Sequence, residues 1–502
     1  MASGDIGGRT MTIMAPWDLA LEHADSDGIG QGDAGRMHAV DEKTMTMVRA
    51  VLEYAQQRMS YDSPPLDHPM RPSDLQRLAP NTITGHGMGG IRALHLFEDV
   101  IAPACLSSDH PMYLSFIPSA PTEASKAFDL VVSASALYGG SWLEGSGAVH
   151  LENQVLAFLA HEFGLPQQAG GVFVQGGTIG NLSALVAARE TARRQRRDSG
   201  QAMPERWSIV CGEESHSSIR SAARVMDADV IVVPSDDSGR LQGERVRQTL
   251  AELSPEKRDG IAAIVACAGT TNFGLIDDLE GCAQVAHEEG VWFHVDGAYG
   301  LAGCLVPELR SHYKGVESAD SVIVDPHKWL FAPYDACALI YRDPEQGRLA
   351  HQQHASYLET LDTDQAWNPS DYAINLTRRP RGLPLWFSLA AYGADEYRHA
   401  IATAVRLAQR ISEEIRLRPQ LELLRKPELS VVVFRHEGWK IKDYELWSQS
   451  LLDRQIAFVQ PSFFQGEPVV RFAIINPRTT FDQLVMVLDT MDKGFDGAGS
   501  AS

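Results

Sequence analysis

The run Ser321-Val-Ile-Val-Asp-Pro-His-Lys-Trp-Leu330 decides how the rest of the chain is read. Its first four residues have the apolar pattern of a buried strand, and Asp-Pro ends that strand in a turn. The turn presents His327 and Lys328 side by side. Most lysines are solvated surface charges, so one set between Val-Asp-Pro-His and Trp-Leu-Phe is in unusual company. Upstream, Val291-Trp-Phe-His-Val-Asp-Gly-Ala-Tyr299 ends a second apolar strand on a carboxylate, Asp296. An amine and a carboxylate at two strand ends form a pair with chemical potential.

The surrounding chain bounds what that pair serves. At 502 residues it is long enough for two or three domains with a large core. Apolar residues make up 44% and charged residues 22%, ordinary values for a globular protein. The formal net charge of −21 argues against nucleic acid and anionic membrane surfaces as partners. Six cysteines include no C-x-x-C pair and read as reduced, buried small hydrophobes in a cytoplasmic protein. No stretch approaches the ~20 apolar residues of a membrane span. The acidic N-terminal segment has neither a signal-peptide core nor transit-peptide character.

Four regions are expected. Residues 1–108 form an N-terminal arm, with 1–35 too Gly- and Asp-rich to order and a helix over 37–59. Residues 109–383 alternate strands (171–175, 207–211, 229–233, 261–267, 291–296, 321–325, 337–341) with helices (180–197, 216–226, 243–253, 278–289). That alternation predicts an α/β domain with a mainly parallel sheet, because parallel strands need helical crossovers. Its polar segment near 345–376 has the length and composition of a mobile lid. Residues 384–491 read as a small α+β domain opening with a long helical stretch over 385–416, and 492–502 as a loose tail.

Further chemistry-bearing residues follow predicted strands. Gly170-Gly-Val-Phe-Val-Gln-Gly-Gly-Thr-Ile-Gly-Asn-Leu-Ser-Ala-Leu185 is a strand, a glycine turn and a helix start, where free backbone N–H groups suit a phosphate. Gly177 permits close approach there and the Thr178 hydroxyl can donate. His216, in Glu-Glu-Ser-His-Ser-Ser, offers a flat imidazole. Thr270 and Thr271, in Ala268-Gly-Thr-Thr-Asn-Phe-Gly274, offer hydroxyls. Singly, each has a plainer reading as a turn, a loop histidine or a helix cap. In open α/β sheets, however, ligands bind at the carboxyl ends of the strands. An aldehyde-bearing cofactor with a phosphate and a ring nitrogen, pyridoxal phosphate, would use all of them: Lys328 for the aldehyde and Asp296 for the ring nitrogen.

The Pro-His-Lys-Trp, His-Val-Asp-Gly-Ala-Tyr and Gly-Gly-Thr-Ile-Gly-Asn runs resemble the group II pyridoxal-phosphate-dependent amino-acid decarboxylases, the family of aromatic-amino-acid and glutamate decarboxylases. The matching region runs from about His110 to Trp386. The resemblance implies the type I, aspartate-aminotransferase-like fold and a homodimer with active sites at the subunit interface. By position it makes Lys328 the Schiff-base lysine, Asp296 the partner of the pyridine nitrogen and His216 the ring-stacking residue. Ala298 would pack on the opposite ring face, and Gly177, Thr178 and His327 fall on the phosphate side. Tyr357, in the expected lid, matches the residue that returns a proton to Cα. One departure stands out: many members carry Asn where this chain has Asp325, so Asp325 is not counted as a phosphate ligand.

The implied reaction is decarboxylation of an L-amino acid to its amine. The stretch matching His110-Pro-Met-Tyr-Leu-Ser-Phe-Ile-Pro118 lines the family's side-chain pocket, partly from the neighbouring subunit. Its apolar Phe116 and Ile117 favour an aromatic or hydrophobic substrate. The alternatives are an acidic substrate or another reaction on the same scaffold, such as aldehyde synthesis or transamination. Tyr138 and Trp142 are further candidates for the pocket entrance. Weaker signals are set aside. Gly85-His-Gly-Met-Gly-Gly90 has the G-x-G-x-x-G form without the surrounding strand and helix. His351 and His354 lack a third metal ligand, and Arg193, Arg194, Arg196 and Arg197 suit a helix C-terminus.

Overall fold

The computed structural model describes residues 36–353 and 367–492. Seven strands, β1 (Gly170–Val174), β2 (Ser208–Gly212), β3 (Asp229–Val233), β4 (Ile261–Cys267), β5 (Trp292–Asp296), β6 (Ser321–Val324) and β7 (Cys337–Tyr341), form one sheet ordered β1-β7-β6-β5-β4-β2-β3. The run β3-β2-β4-β5-β6 is parallel throughout. β7 is antiparallel to both neighbours, β1 and β6. The reason is local: the link from β6 to β7 contains no helix, and without a crossover the chain can only turn back. The carboxyl ends of β1, β2, β4, β5 and β6 therefore share one edge of the sheet.

Every residue of β4, β5, β6 and β7 is buried, as expected for strands covered on both faces. Each fully buried Val, Leu or Ile contributes about 1.5–3 kcal/mol. The helices that matter below are α1 (Glu42–Met59), α2 (Trp142–Glu162), α3 (Gly177–Ser199), α4 (Ser217–Val225), α5 (Leu383–Tyr392) and α6 (Ala394–Arg416). Helix α3 crosses close to the sheet at Gly180, where a Cβ would come within 2.8 Å of Cys337 Sγ and 2.9 Å of Ile323. Gly200, at φ 72°, ends α3, and the arginine cluster 193–197 lies in its last turns.

The predicted large-sheet strands fall within one residue of those observed. The helical stretch expected over 385–416 is present as two helices, α5 and α6, separated at Gly393 with φ 83°. A second sheet of β8 (Leu421–Leu423), β9 (Val431–His436), β10 (Pro461–Phe464) and β11 (Glu467–Ala473) is antiparallel and ordered β10-β11-β9-β8. The segment 112–114 joins it to the rest through Phe458 N–H to Met112 O and Leu114 N–H to Phe458 O, both 2.9 Å.

A buried ion pair ties α2 to the chain leading into α5. Glu152 accepts from Arg378 Nη1 and Nη2 at 2.8 and 2.9 Å and from Gly382 N–H at 2.7 Å. The expected lid region begins as a helix, Pro344–His351, and after residue 366 Trp367 stacks on Tyr372 with centroids 4.2 Å apart. Tyr357 lies outside the described residues. The glycines at 85, 87 and 89 sit in an exposed turn with open space at each Cβ position and no preceding strand.

Candidate active site

The strand ends surround a cavity of about 350 Å³ whose walls include Gly177, Thr178, His216, Thr271, Asp296, Ala298, His327 and Lys328. The folding of each wall follows from its sequence. Val174 ends β1, Gln175-Gly176 turns the chain, and α3 begins at Gly177 with its first turn lining the cavity. The first N–H groups of a helix have no intrahelical acceptor and carry partial positive charge. No side chain caps them here.

Lys328 is fixed from beneath. Trp329 and Leu330 are buried, and the Trp329 ring stacks on Tyr299 with centroids 5.2 Å apart. That burial turns the Lys328 side chain toward the cavity. Its Nζ lies 2.9 Å from Asp325 Oδ2. Burial disfavours the ammonium, but the Asp325 charge and hydrogen bond, with Asp296 behind them, outweigh it and raise Lys328 above its ordinary value. His327 is buried, with Nδ1 2.7 Å from Ala336 O and Nε2 3.8 Å from Asp325 Oδ2. Burial lowers its pKa and favours the neutral ring.

A hydrogen-bond chain links Asp296 to His216. Trp292 Nε1–H donates to Ser321 Oγ at 2.8 Å, and Ser321 Oγ is 2.8 Å from His294 Nδ1. His294 Nε2 is 2.8 Å from Asn181 Oδ1. The Asn181 amide donates to Asp296 Oδ2 at 2.8 Å and to Ser218 Oγ at 2.9 Å. Ser218 Oγ lies 2.8 Å from His216 Nδ1. The donors settle the protonation pattern: with Ser321 giving its proton to Nδ1, His294 carries hydrogen on Nε2, and His216 Nδ1 accepts. Burial pushes His294 down to about 4, so it stays neutral at ordinary pH. Asp296 also accepts from Ala298 N–H at 3.1 Å.

Thr270 and Thr271 separate in role. Thr270 is buried and its Oγ1 accepts from Leu275 N–H at 3.1 Å, closing a turn that begins at Gly269 with φ 110°. Both threonines border the cavity, and Thr271 is the less buried of the two. Gly297 is required by packing, since a Cβ there would meet Leu301 at 2.3 Å.

Other candidates lie elsewhere. Ile117 is buried in the core, and Phe116, at φ 52°, is 59% exposed beside Phe458. Neither reaches the cavity of its own chain. Tyr138 donates to Leu376 O at 3.1 Å and Trp142 is partly exposed, both away from the cavity. His351 is buried with Nε2 2.9 Å from Ser183 O, and the described residues contain no metal-binding cluster.

Sequence reading missed Asn181, His294 and Tyr334. The first two sat inside quoted runs, but their partnership spans more than a hundred residues. Tyr334 stands at the cavity mouth with its ring 5.0 Å from His327. Its local sequence carries no signal.

These walls fit pyridoxal phosphate. The open first turn of α3 suits the phosphate, the strand-end amine of Lys328 an aldehyde, and Asp296, oriented by two donors, a protonated ring nitrogen. Among the described residues lining the site, Gln175 Oε1 and Asp325 Oδ1 are buried without a hydrogen-bond partner.

Residues 72–437 match the model of the pyridoxal-dependent decarboxylase conserved domain. The chain is 25% identical over 438 residues to an aromatic-L-amino-acid decarboxylase of Bacillus atrophaeus, covering 85% of this chain and 90% of that protein. It is 30% identical over 393 residues to an L-2,4-diaminobutyrate decarboxylase of Rhizobium meliloti (strain 1021), covering 76% and 77%. A crystal structure of Oryza sativa TDC with PLP and tryptamine superposes with a TM-score of 0.81 at 23% identity, covering 93% of this chain and 99% of that one.

Proposed function

Because the chain belongs to the pyridoxal-dependent decarboxylase family, we propose that it converts an L-amino acid with an aromatic or other hydrophobic side chain to its amine and carbon dioxide. The cofactor is pyridoxal 5'-phosphate. When bound, it supplies an electron-poor ring that accepts the electron pair left at Cα as the carboxylate departs. The observation that carries the reading is the meeting of Lys328, Asp296 and the start of α3 around one cavity.

In this reading Lys328 anchors the aldehyde carbon, and Asp296 faces the ring nitrogen and keeps its proton there. Gly177, Thr178 and His327 hold the phosphate, with Thr271 near the ring oxygen. His216 stacks on one ring face and Ala298 packs on the other. Tyr357 is assigned the return of a proton to Cα. Among the described cavity walls Lys328 is the only lysine or arginine, against the carboxylates of Glu214, Asp296, Asp325 and Asp335. That balance supports an uncharged substrate side chain over an acidic one.

The reading includes a homodimer. No residue of α1 is buried, and Met45, Met47, Val51 and Leu52 on it are exposed. A surface of that kind supports contact with a second copy. Phe116, exposed and outside the cavity of its own chain, is assigned to the substrate pocket of the other copy, whereas Ile117, buried in its own core, is not. Six free cysteines, five of them buried, support a reducing cytoplasmic setting. No helix among the described residues is long and apolar enough to cross a membrane.

The test is product analysis across a panel of amino acids. The account expects carbon dioxide and amine in equal amounts from an aromatic or aliphatic substrate. Ammonia with an aldehyde would replace decarboxylation by an oxidative reaction. Turnover confined to glutamate or aspartate would overturn the substrate class.

A further inference from the structure

Asp325 has no task in the proposed machinery, yet its buried carboxylate meets the nitrogen assigned to bond the cofactor: Oδ2 lies 2.9 Å from Lys328 Nζ. The backbone fixes both partners. Asp325 N–H donates to Ala298 O and Lys328 N–H donates to Asp325 O, each at 2.9 Å, so carboxylate and amine sit on one closed turn. The room beside the carboxylate is taken as well. A Cβ on Gly177 would stand 3.1 Å from Oδ2 and 3.4 Å from Oδ1.

The other groups around the pair leave it to itself. In the same turn, His327 Nε2 is 3.8 Å from Oδ2, and burial, the main cause, favours its neutral ring. From β7 comes the Cys337 thiol, which burial and then the Asp325 charge push well above its usual range, so it stays a thiol. From the loop before β7, Tyr334 feels the Lys328 charge, and burial keeps its phenol neutral. From the end of β5, Asp296 acts on Lys328 with the same sign as Asp325 and a smaller effect. The first turn of α3, Gly177-Thr178-Ile179-Gly180, carries no ionisable side chain. Burial disfavours a charged Lys328, and the Asp325 charge and hydrogen bond outweigh that cost.

We propose that Asp325 is the fixed counter-ion of the Lys328 nitrogen, pairing its positive charge in the free ammonium and again in the carbon–nitrogen double bond made with the cofactor. In that step the nitrogen bonds to the aldehyde carbon. Two of the three ammonium hydrogens leave with the carbonyl oxygen as water, the third stays on nitrogen, and the charge is conserved without oxidant or reductant. The nitrogen remains tethered to the same side chain, on the same turn as the carboxylate. A carboxylate this close favours the charged form of its partner by about 1–3 pH units. The double bond therefore keeps its proton well above neutral pH, and its carbon stays electron-poor toward an arriving substrate amine. The inference rests on the assignment of the cofactor to this cavity.

The test is a pH titration of the visible band of the full chain loaded with pyridoxal phosphate, without substrate. Loss of the proton on the double bond replaces the long-wavelength yellow band by one at shorter wavelength. The wild type should keep the yellow form to about pH 9, and Asp325→Asn, which has nearly the same shape, should lose it about 1–3 pH units lower. A role in packing alone would change stability or affinity and leave that titration where it was. The proposal is overturned if Asp325→Asn titrates at the wild-type pH. It is equally overturned if the wild-type band loses its proton at or below neutral pH, and that arm needs no variant. If the wild type develops no visible band at all, the cofactor assignment fails instead, and the two failures are told apart.

Discussion

Asn181→Ala should cost both stability and cofactor affinity, because one buried amide holds three partners. Asn181 donates to Asp296 Oδ2 at 2.8 Å and to Ser218 Oγ at 2.9 Å, and its Oδ1 is 2.8 Å from His294 Nε2. The bond to the carboxylate is worth about 1.5–3 kcal/mol and each neutral one about 1 kcal/mol. Their loss should destabilise the unloaded protein by roughly 3–4 kcal/mol, allowing for partial relaxation. Freed from its lateral donor, Asp296 no longer faces a fixed direction, and cofactor affinity should fall about 10–100-fold, on the scale of 1.4 kcal/mol per factor of ten. Urea unfolding reads the first quantity and titration of the visible cofactor band the second. Asn181→Asp should be worse, since it replaces the donor by a like charge against Asp296. If Asn181→Ala unfolds more easily but binds cofactor within twofold of wild type, the network does not orient Asp296 and the reasoning fails.

Three further outcomes follow from other parts of the molecule. Glu152→Ala leaves the Arg378 guanidinium buried without its bidentate partner and should cost about 3–5 kcal/mol in urea unfolding; a loss under 1 kcal/mol, the scale of exposed pairs, would contradict the buried-pair reading. Gly177→Ala places a methyl 3.1 Å from Asp325 Oδ2 and 3.3 Å from Ala298 Cβ, within the phosphate turn, and should weaken cofactor binding about tenfold or more on the same affinity scale while leaving the far-ultraviolet circular dichroism unchanged. Burial, the main cause, holds His294 and His110 down at about 4, below the unfolded value of 6.5. Their contribution is present above pH 6.5 and lost as pH falls toward 4, because the unfolded chain protonates first. The urea midpoint should therefore drop across that window, and the drop should shrink in His294→Gln.

The strands of the large sheet were legible because covered strands read as short apolar runs, of which Ile261–Cys267 is one. The edge strands of the small sheet were not. Leu421–Leu423 is three residues long, and Pro461–Phe464 begins with a proline and is half-exposed. The 385–416 pattern stayed helical on both sides of Gly393, so the positive φ that splits it left little periodic trace. At the site, residue types at strand ends pointed to Lys328, Asp296, His216, Thr271 and the turn at Gly177, which the cavity brings together. What stayed hidden is pairing across distance. Nothing local says that Asn181 joins His294 to Asp296, or that Asp325 turns to Lys328. Phe116 and Ile117 were chosen for apolar character, and that alone does not separate Ile117, buried in its own core, from the exposed Phe116.

The most direct measurement is borohydride reduction of the cofactor-loaded protein followed by peptide mass analysis. The account predicts that a yellow band bleaches and that a pyridoxyl group appears on the peptide containing Lys328. Label on a different lysine, or a protein that takes up no cofactor and gives no band, would contradict it.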